Sequence, residues 1–495
     1  MCKITVYTNA EIFTQDPLNP KVNSLAVACN EIIDAGESLE NKYLDAKIID
    51  LNGATIIPGF IDSHLHLKWL ALQKQWINLS NVRSFDELLS KLKEAKTTWV
   101  IGRGFSEKLF REEKIPTRHD LDEVVPEKPV LIVRICGHVG IANTQLLKKV
   151  GLWDNPEIVE GVEVDSNNKP TGVIKEKALE YVLEKIPKPP LKQYVKLMNE
   201  VLNELLSKGL TTVASMNADP LEFYILQCTN TPLKVRVFFD VKYLELILKL
   251  MIKGHFGNEK LRVTGIKVIG DGSFGGRTAA LRHNYVGSES RGELLITSGV
   301  LENIVNKARK LGMLVAVHAI GDRTIEEILN VKESLLSNIR IEHCSLTPPD
   351  IIEKLSKRKV FGVSVQPRFR ISDKWLPNVI GENSKYAYMF YTLSKKGMLI
   401  SFSSDAPVEP FDPLINLEAA ISDEGIGEKV PINDALKMYT KNGSLILNEK
   451  DKGVIKKGYK ADFVILNKNI FKEKPSEAKV IATVIEGKVV YGKVS

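Results

Sequence analysis

Only eight histidines occur in the 495-residue chain, and four of them end short apolar runs of β character. His64 and His66 close PGFIDSHLHL. A spacing of two on an extended segment points both imidazoles the same way, so both can ligate one cation. The same spacing also fits two surface histidines after a strand. Lys267 lies inside the otherwise apolar GIKVIGDG. A buried ammonium is costly unless it has a task. Beside metal ions such a lysine can lose its proton and take up carbon dioxide, giving a carbamate that bridges as a carboxylate. A strand-end lysine that snorkels to water is the plainer alternative. Counting by twos puts Lys267, Ile269 and Asp271 on one face. His318 in LVAVHAIGD, His343 in RIEHCSL and Asp405 in LISFSSDAPVEP complete the set. Each alone has a structural reading. Together they are nitrogen and oxygen donors suited to zinc or a similar divalent ion, with one or two ions held.

One motif misleads. Gly270, Gly272 and Gly275 match GxGxxG after a strand. A dinucleotide site needs a helix to start at that turn, and GRTAALRHNYVG is too short and too soon broken. Asp271 within the turn would also repel a pyrophosphate.

The elements that must carry these residues alternate strand and helix. Strands are predicted at Thr55–Ile61, Thr211–Ser215, Lys234–Asp240, Val263–Ile269, Leu314–His318, Arg340–His343, Val360–Gln366 and Leu399–Ser403. Amphipathic stretches such as VLENIVNKARKLG and PPDIIEKLSKRK lie between them. The pattern predicts an α/β chain, a (β/α)8 TIM-type barrel over 56–444, whose catalytic groups sit at the C-terminal ends of its strands. Residues 67–208 are too long for a connection of about 2–6 residues and are expected to form an inserted α/β subdomain after strand one. Both chain ends, 1–55 and 445–495, read as short strands with turns and are expected to pair into one small β-sandwich.

Composition narrows the function classes. Apolar residues make up 44% and charged residues 26%, and the net charge is +7 with both signs interspersed. No basic stripe supports nucleic-acid binding. Five scattered cysteines without a CxxC pair argue against a disulfide framework or a thiolate zinc site and for a reducing compartment. No run of about 18 apolar residues suggests a membrane span, and MCKITVYTNAEIFTQD has no signal-peptide pattern. A cytoplasmic location is the expectation.

Longer motifs carry a resemblance. GRGFSEKLF, PTRHDLDEVVPEKPVLI, GHVGIANTQLL, GVIKEKAL, DGSFGGRTAAL, SDAPVEPFDPL, ALKMYTKNGS and GVIKKGYKADFVIL resemble the metal-dependent amidohydrolases. The similarity is closest to the YtcJ-like, amidohydrolase-3 branch that includes N-substituted formamide deformylases. The resemblance implies that His64, His66 and Asp405 bind a first metal and that His318 and His343 bind a second. A carboxylated Lys267 would bridge the two ions. A metal-bridging hydroxide would attack a carbonyl, with Asp405 as general base and then acid. His138, in RICGHVGIAN, would orient substrate from the inserted segment, or stand as a loop histidine within that segment's own fold. Arg277, in GGRTAAL, would bind a substrate carboxylate or carbonyl, or cap local backbone. Gln366, Arg368 and Asp271 stand where substrate contacts are expected. His119, His255 and His283 read as surface residues. The expected activity is hydrolysis of a carbon–nitrogen, amide-type bond of a small molecule. A mononuclear deaminase-type site and a non-catalytic binding homologue are the alternatives. A homodimer is expected from the resemblance alone.

Overall fold

The structure, a computed structural model, describes residues 3–494 except 113, 136 and 138. The chain divides into two compact units. One comprises Met1–Lys68, Met198–Asp271 and Ala279–Ser495, the other Trp69–Leu197 and Gly272–Thr278.

The centre of the first unit is an eight-stranded parallel sheet. In chain order its strands are β1 (Phe60–Leu65), β2 (Leu210–Ala218), β3 (Lys234–Asp240), β4 (Leu261–Ile269), β5 (Leu314–Ala319), β6 (Ile339–His343), β7 (Gly362–Val365) and β8 (Ile400–Phe402). They neighbour one another in that order. Most read as near-continuous apolar runs because both faces are covered. Beyond β8 the chain returns to β1: Asp405 N–H donates to the His64 carbonyl and His66 N–H to the Ala406 carbonyl, each at 2.8 Å. The result is a TIM-type arrangement. Its helices bury one stripe each, as in Ser298–Lys310, where Leu301, Val305 and Ala308 are buried.

The expected first strand, Thr55–Ile61, proves to be two. Thr55–Pro58 belongs to another sheet, and β1 begins at Phe60. The break falls at Gly59, which packs against β2. A Cβ there would lie 2.4 Å from Thr211 side-chain atoms, so only glycine lets the strands approach.

The chain ends build two further sheets. A six-stranded sheet runs in the order Lys488–Gly492, Val480–Ile485, Phe463–Leu466, Thr55–Pro58, Glu11–Phe13, Lys21–Val22. A four-stranded sheet carries Glu31–Gly36, Ser24–Ala28, Ile4–Thr8 and Lys47–Asp50. Tyr7, Leu25 and Ile49 from the second share one core with Ile56, Phe463 and Val484 from the first. Cys29, at a turn with φ 56°, is disulfide-bonded, where the cysteine pattern argues only against a disulfide framework. A sparse cysteine count does not exclude one pair that the backbone brings together. Cys228 and Cys344 are free.

The second unit has its own six-stranded mixed sheet, from Val162–Val164 at one edge to Ile77–Asn78 at the other. The helix Arg118–Val124 starts with a capping box between Thr117 and Asp120. The segment 272–278, which the sequence reading left in the barrel, joins this unit, where the Thr278 hydroxyl donates to Glu176 at 3.1 Å.

Beneath the barrel, Lys234 at the start of β3 meets Asp462 at 2.6 Å, with side chains 1% and 2% exposed. Asp462 also accepts from Glu486 N–H. Lys234→Met would leave that carboxylate buried without its cation. The expected loss of stability is about 3–5 kcal/mol by urea unfolding, and a Lys234→Met/Asp462→Asn double variant should recover part of it.

Candidate metal centre

His64 is the penultimate residue of β1, and His66 follows its last, Leu65. Their rings lie 5.4 Å apart. Both Nε2 atoms face one carboxylate oxygen, Asp405 Oδ1, at 3.4 Å from His64 and 3.1 Å from His66. One ligand atom from each of the three residues lies within 4.8 Å of the others. Asp405 has a left-handed backbone, φ 57°, and its amide is held by the His64 carbonyl. Asp62, one turn of the pleat below His64, accepts from the amides of His64 and Ser404, each at 3.1 Å, which ties the two ligand-bearing segments together. Burial pushes its carboxyl up to about 7.

The remaining histidines close around this group. His343 stands 4.9 Å from His64 and 4.5 Å from His318, ring to ring. It too has a positive φ, 69°, which takes its side chain off the strict alternation of β6. Lys267, 1% exposed, lies on β4 among them, and its Nζ has no hydrogen-bond partner among the described residues. Burial pulls its ammonium down to about 8, against the opposing charges of Glu342 and Asp405.

His64, His66 and His343 each have Nδ1 occupied by an acceptor. His64 Nδ1 meets Glu342 Oε2 at 2.5 Å, His66 Nδ1 meets the Met216 carbonyl at 3.3 Å, and His343 Nδ1 meets Gln366 Oε1 at 2.9 Å. An acceptor at Nδ1 fixes the tautomer with its proton there and leaves the Nε2 lone pair for a cation. Burial holds His64 and His343 well below the ordinary histidine range, which keeps them neutral. For Asp405, burial alone would raise the carboxyl. The His66 imidazole that faces it and the neighbouring imidazoles of His64 and His343 more than offset it, and the group stays ionised. The donor set therefore fits a divalent ion. Buried His64 Nε2 and Lys267 Nζ, neither hydrogen-bonded among the described residues, are the atoms such an ion and a carbamate would satisfy.

The structure thus gathers His64, His66, Lys267, His318, His343 and Asp405. Other expected residues have different surroundings. Asp271 is inaccessible, and its carboxylate accepts from the amides of Ala280, Ile320 and Gly321 at 3.0, 3.1 and 2.8 Å. It anchors loops and cannot touch substrate. The count by twos fails because β4 stops at Ile269. Burial pushes its carboxyl up to about 7. Gln366, 1% exposed, holds His343 on one side and donates to Ser403 on the other at 2.9 Å. It orients a ligand instead of meeting substrate. Arg368 is about a third exposed, with Nε 3.5 Å from Glu409. Arg277 belongs to the second unit, and His138 lies outside the described residues.

The sequence reading missed Arg340 and Glu342, both inaccessible. Arg340 grips Glu342 through two bonds, 2.5 and 2.9 Å, and the Ser63 carbonyl at 2.7 Å. The signal was present in IRIEH, where charges at alternate positions of an apolar strand share one face with no water to meet them.

Residues 47–491 match the profile of the Amidohydrolase family. The chain is 33% identical to YtcJ of Bacillus subtilis (strain 168), covering 92% of this chain and 93% of that protein. It is 25% identical to an N-substituted formamide deformylase of Arthrobacter pascens, covering 93% of each. Among solved structures, a metal-dependent hydrolase from Pyrococcus horikoshii OT3 superposes with a TM-score of 0.83 at 30% identity, covering 96% of this chain and 99% of the other.

Replacing Glu342 tests the orientation argument. Glu342→Gln keeps an acceptor for His64 but removes its charge. Affinity for zinc, read by chelator competition, is expected to fall about 10–100-fold with an unchanged circular dichroism spectrum. Unchanged affinity would leave Glu342 with a packing role alone.

Proposed function

The chain belongs to the amidohydrolase family, and from that premise we propose that it is a metal-dependent hydrolase cleaving a carbon–nitrogen, amide-type bond of a small molecule. The observation that carries this reading is the set of imidazoles whose Nδ1 atoms are occupied by acceptors while Nε2 of His64 and of His66 faces Asp405. Donors of this kind, pre-oriented and shielded from water, are what a catalytic divalent ion requires.

His64, His66 and Asp405 would hold one ion, and His318 and His343 a second. Lys267, carboxylated, would bridge them. Such ions supply Lewis acidity, which polarises a carbonyl and makes water acidic enough to attack near neutral pH. The protein's own groups do the rest. Asp405 accepts the proton of the attacking water and returns it to the leaving nitrogen. Glu342 and Gln366 hold His64 and His343 against rotation. Asp271, 3.4 Å from His318 Nε2, fixes the loops that follow β4 and β5. Arg368 is the accessible cation assigned to a substrate carbonyl or carboxylate, and Arg277 and His138 keep that assignment on the family resemblance. The relatives set no further limit on the substrate. No helix among the described residues is long and apolar enough to cross a membrane.

Elemental analysis of the purified chain with no metal added is the first test, and about two equivalents of zinc or a similar ion are expected. Chelation should abolish turnover of an amide panel, and a His64→Ala/His66→Ala double variant should lose both metal and activity. Full activity and metal in that variant would overturn the assignment. Lys267→Ala should lose activity that short carboxylic acids restore. Near-normal turnover with one ion would point to a mononuclear site instead.

A further inference from the structure

Ile269 and His318 are register partners on β4 and β5, so their side chains stand on the same face of the sheet. Lys267, two residues earlier on that face, reaches the buried centre. Ile269 closes the strand and is 39% exposed. It is a large aliphatic group open to solvent one pleat above the candidate centre. Leu295, whose N–H donates to the Gly270 carbonyl at 2.9 Å, is 43% exposed beside the same strand end. On the other flank the half-buried Phe369 lies nearly parallel to His343, with centroids 6.4 Å apart and planes 28° apart. Apolar surface therefore borders both His318 and His343.

Two buried polar groups beside these flanks are committed elsewhere, and Arg368 is assigned to the substrate carbonyl or carboxylate. Asp271 is turned to backbone amides, and Gln366 to His343 and Ser403. A charged substituent resting on Ile269 and Phe369 would be desolvated with neither Asp271 nor Gln366 free to pair with it, whereas an alkyl or aryl one would gain by leaving water.

Resting on the hydrolase reading above, we infer that Ile269 and Phe369 are specificity-determining residues. They form an apolar clamp over the His318–His343 side of the centre and select substrates with an alkyl or aryl group next to the scissile bond.

The test measures binding apart from turnover. The probes are straight-chain acyl hydroxamates, from acetyl to octanoyl, titrated by calorimetry into the metal-loaded full chain. Affinity is expected to rise about fourfold per methylene until the clamp is filled, the equivalent of roughly 0.8 kcal/mol per buried methylene. Ile269→Thr and Phe369→Ser should each flatten that slope at unchanged metal content. The kcat/KM values of the matching N-alkyl amides should rise in parallel. Three results would overturn the clamp: a flat series in the unaltered protein, tighter binding of carboxylate-tipped than methyl-tipped chains, or no binding at all. A slope without turnover of any amide would overturn the hydrolase reading and keep the clamp. Turnover without a slope would do the reverse.

Discussion

A carboxylate held between a guanidinium and an imidazole governs the centre of this protein. Glu342 lies between Arg340 and His64, and all three are inaccessible to water. Burying such charges is expensive, and only dense pairing offsets the desolvation. The pairing here is dense. Arg340 uses two bonds on Glu342 and one on the Ser63 carbonyl, and lies 4.9 Å over the Phe238 ring. Because Ser63 precedes His64, the same arginine fixes both the backbone that presents the imidazole and the acid that orients it. β6 and β1 are not neighbours in the sheet, so this contact also sets the distance across its interior.

A second, neutral network performs the same service for His343. From Gln366 the hydrogen bonds run through Ser403, Ser364 and Ser63 to Ser401, with separations of 2.8 to 3.0 Å. Serine suits this position because a hydroxyl both donates and accepts and occupies little volume. The interior strands thus carry a polar lattice where a purely apolar core would leave the ligands free to rotate. The candidate centre inherits the rigidity of strands, and variation is left to the loops beyond them.

Much of this was legible in the chain. HLH after an apolar run, a lysine within one, and single histidines closing two others point to strand ends facing a common space, because alternation and strand length are local properties. Asp271 was misread because the alternation was carried two residues past the point where β4 ends. Gln366 was misassigned because position at a strand end does not say whether a side chain faces solvent or a neighbouring imidazole. Arg340 and Glu342 could have been found by the alternation that exposed Lys267. The break at Gly59 could not, since its cause is Thr211, far away in sequence and adjacent in space. The attachment of 272–278 to the second unit likewise depends on a distant partner, Glu176.

The sheet that joins the two ends has a consequence for biosynthesis. Thr55–Pro58 is an interior strand, paired on one side with Glu11–Phe13 and on the other with Phe463–Leu466. Glu11–Phe13 is synthesised shortly before this strand, Phe463–Leu466 only after the whole barrel has followed it. Between those two events the nascent chain carries an unpaired β-edge made of Thr, Ile and Ile, immediately ahead of the strand that bears His64. Such an edge invites pairing with other chains. Phe463–Leu466 therefore acts as a covering strand for a segment made long before it, and that exposure ends only when this late partner pairs.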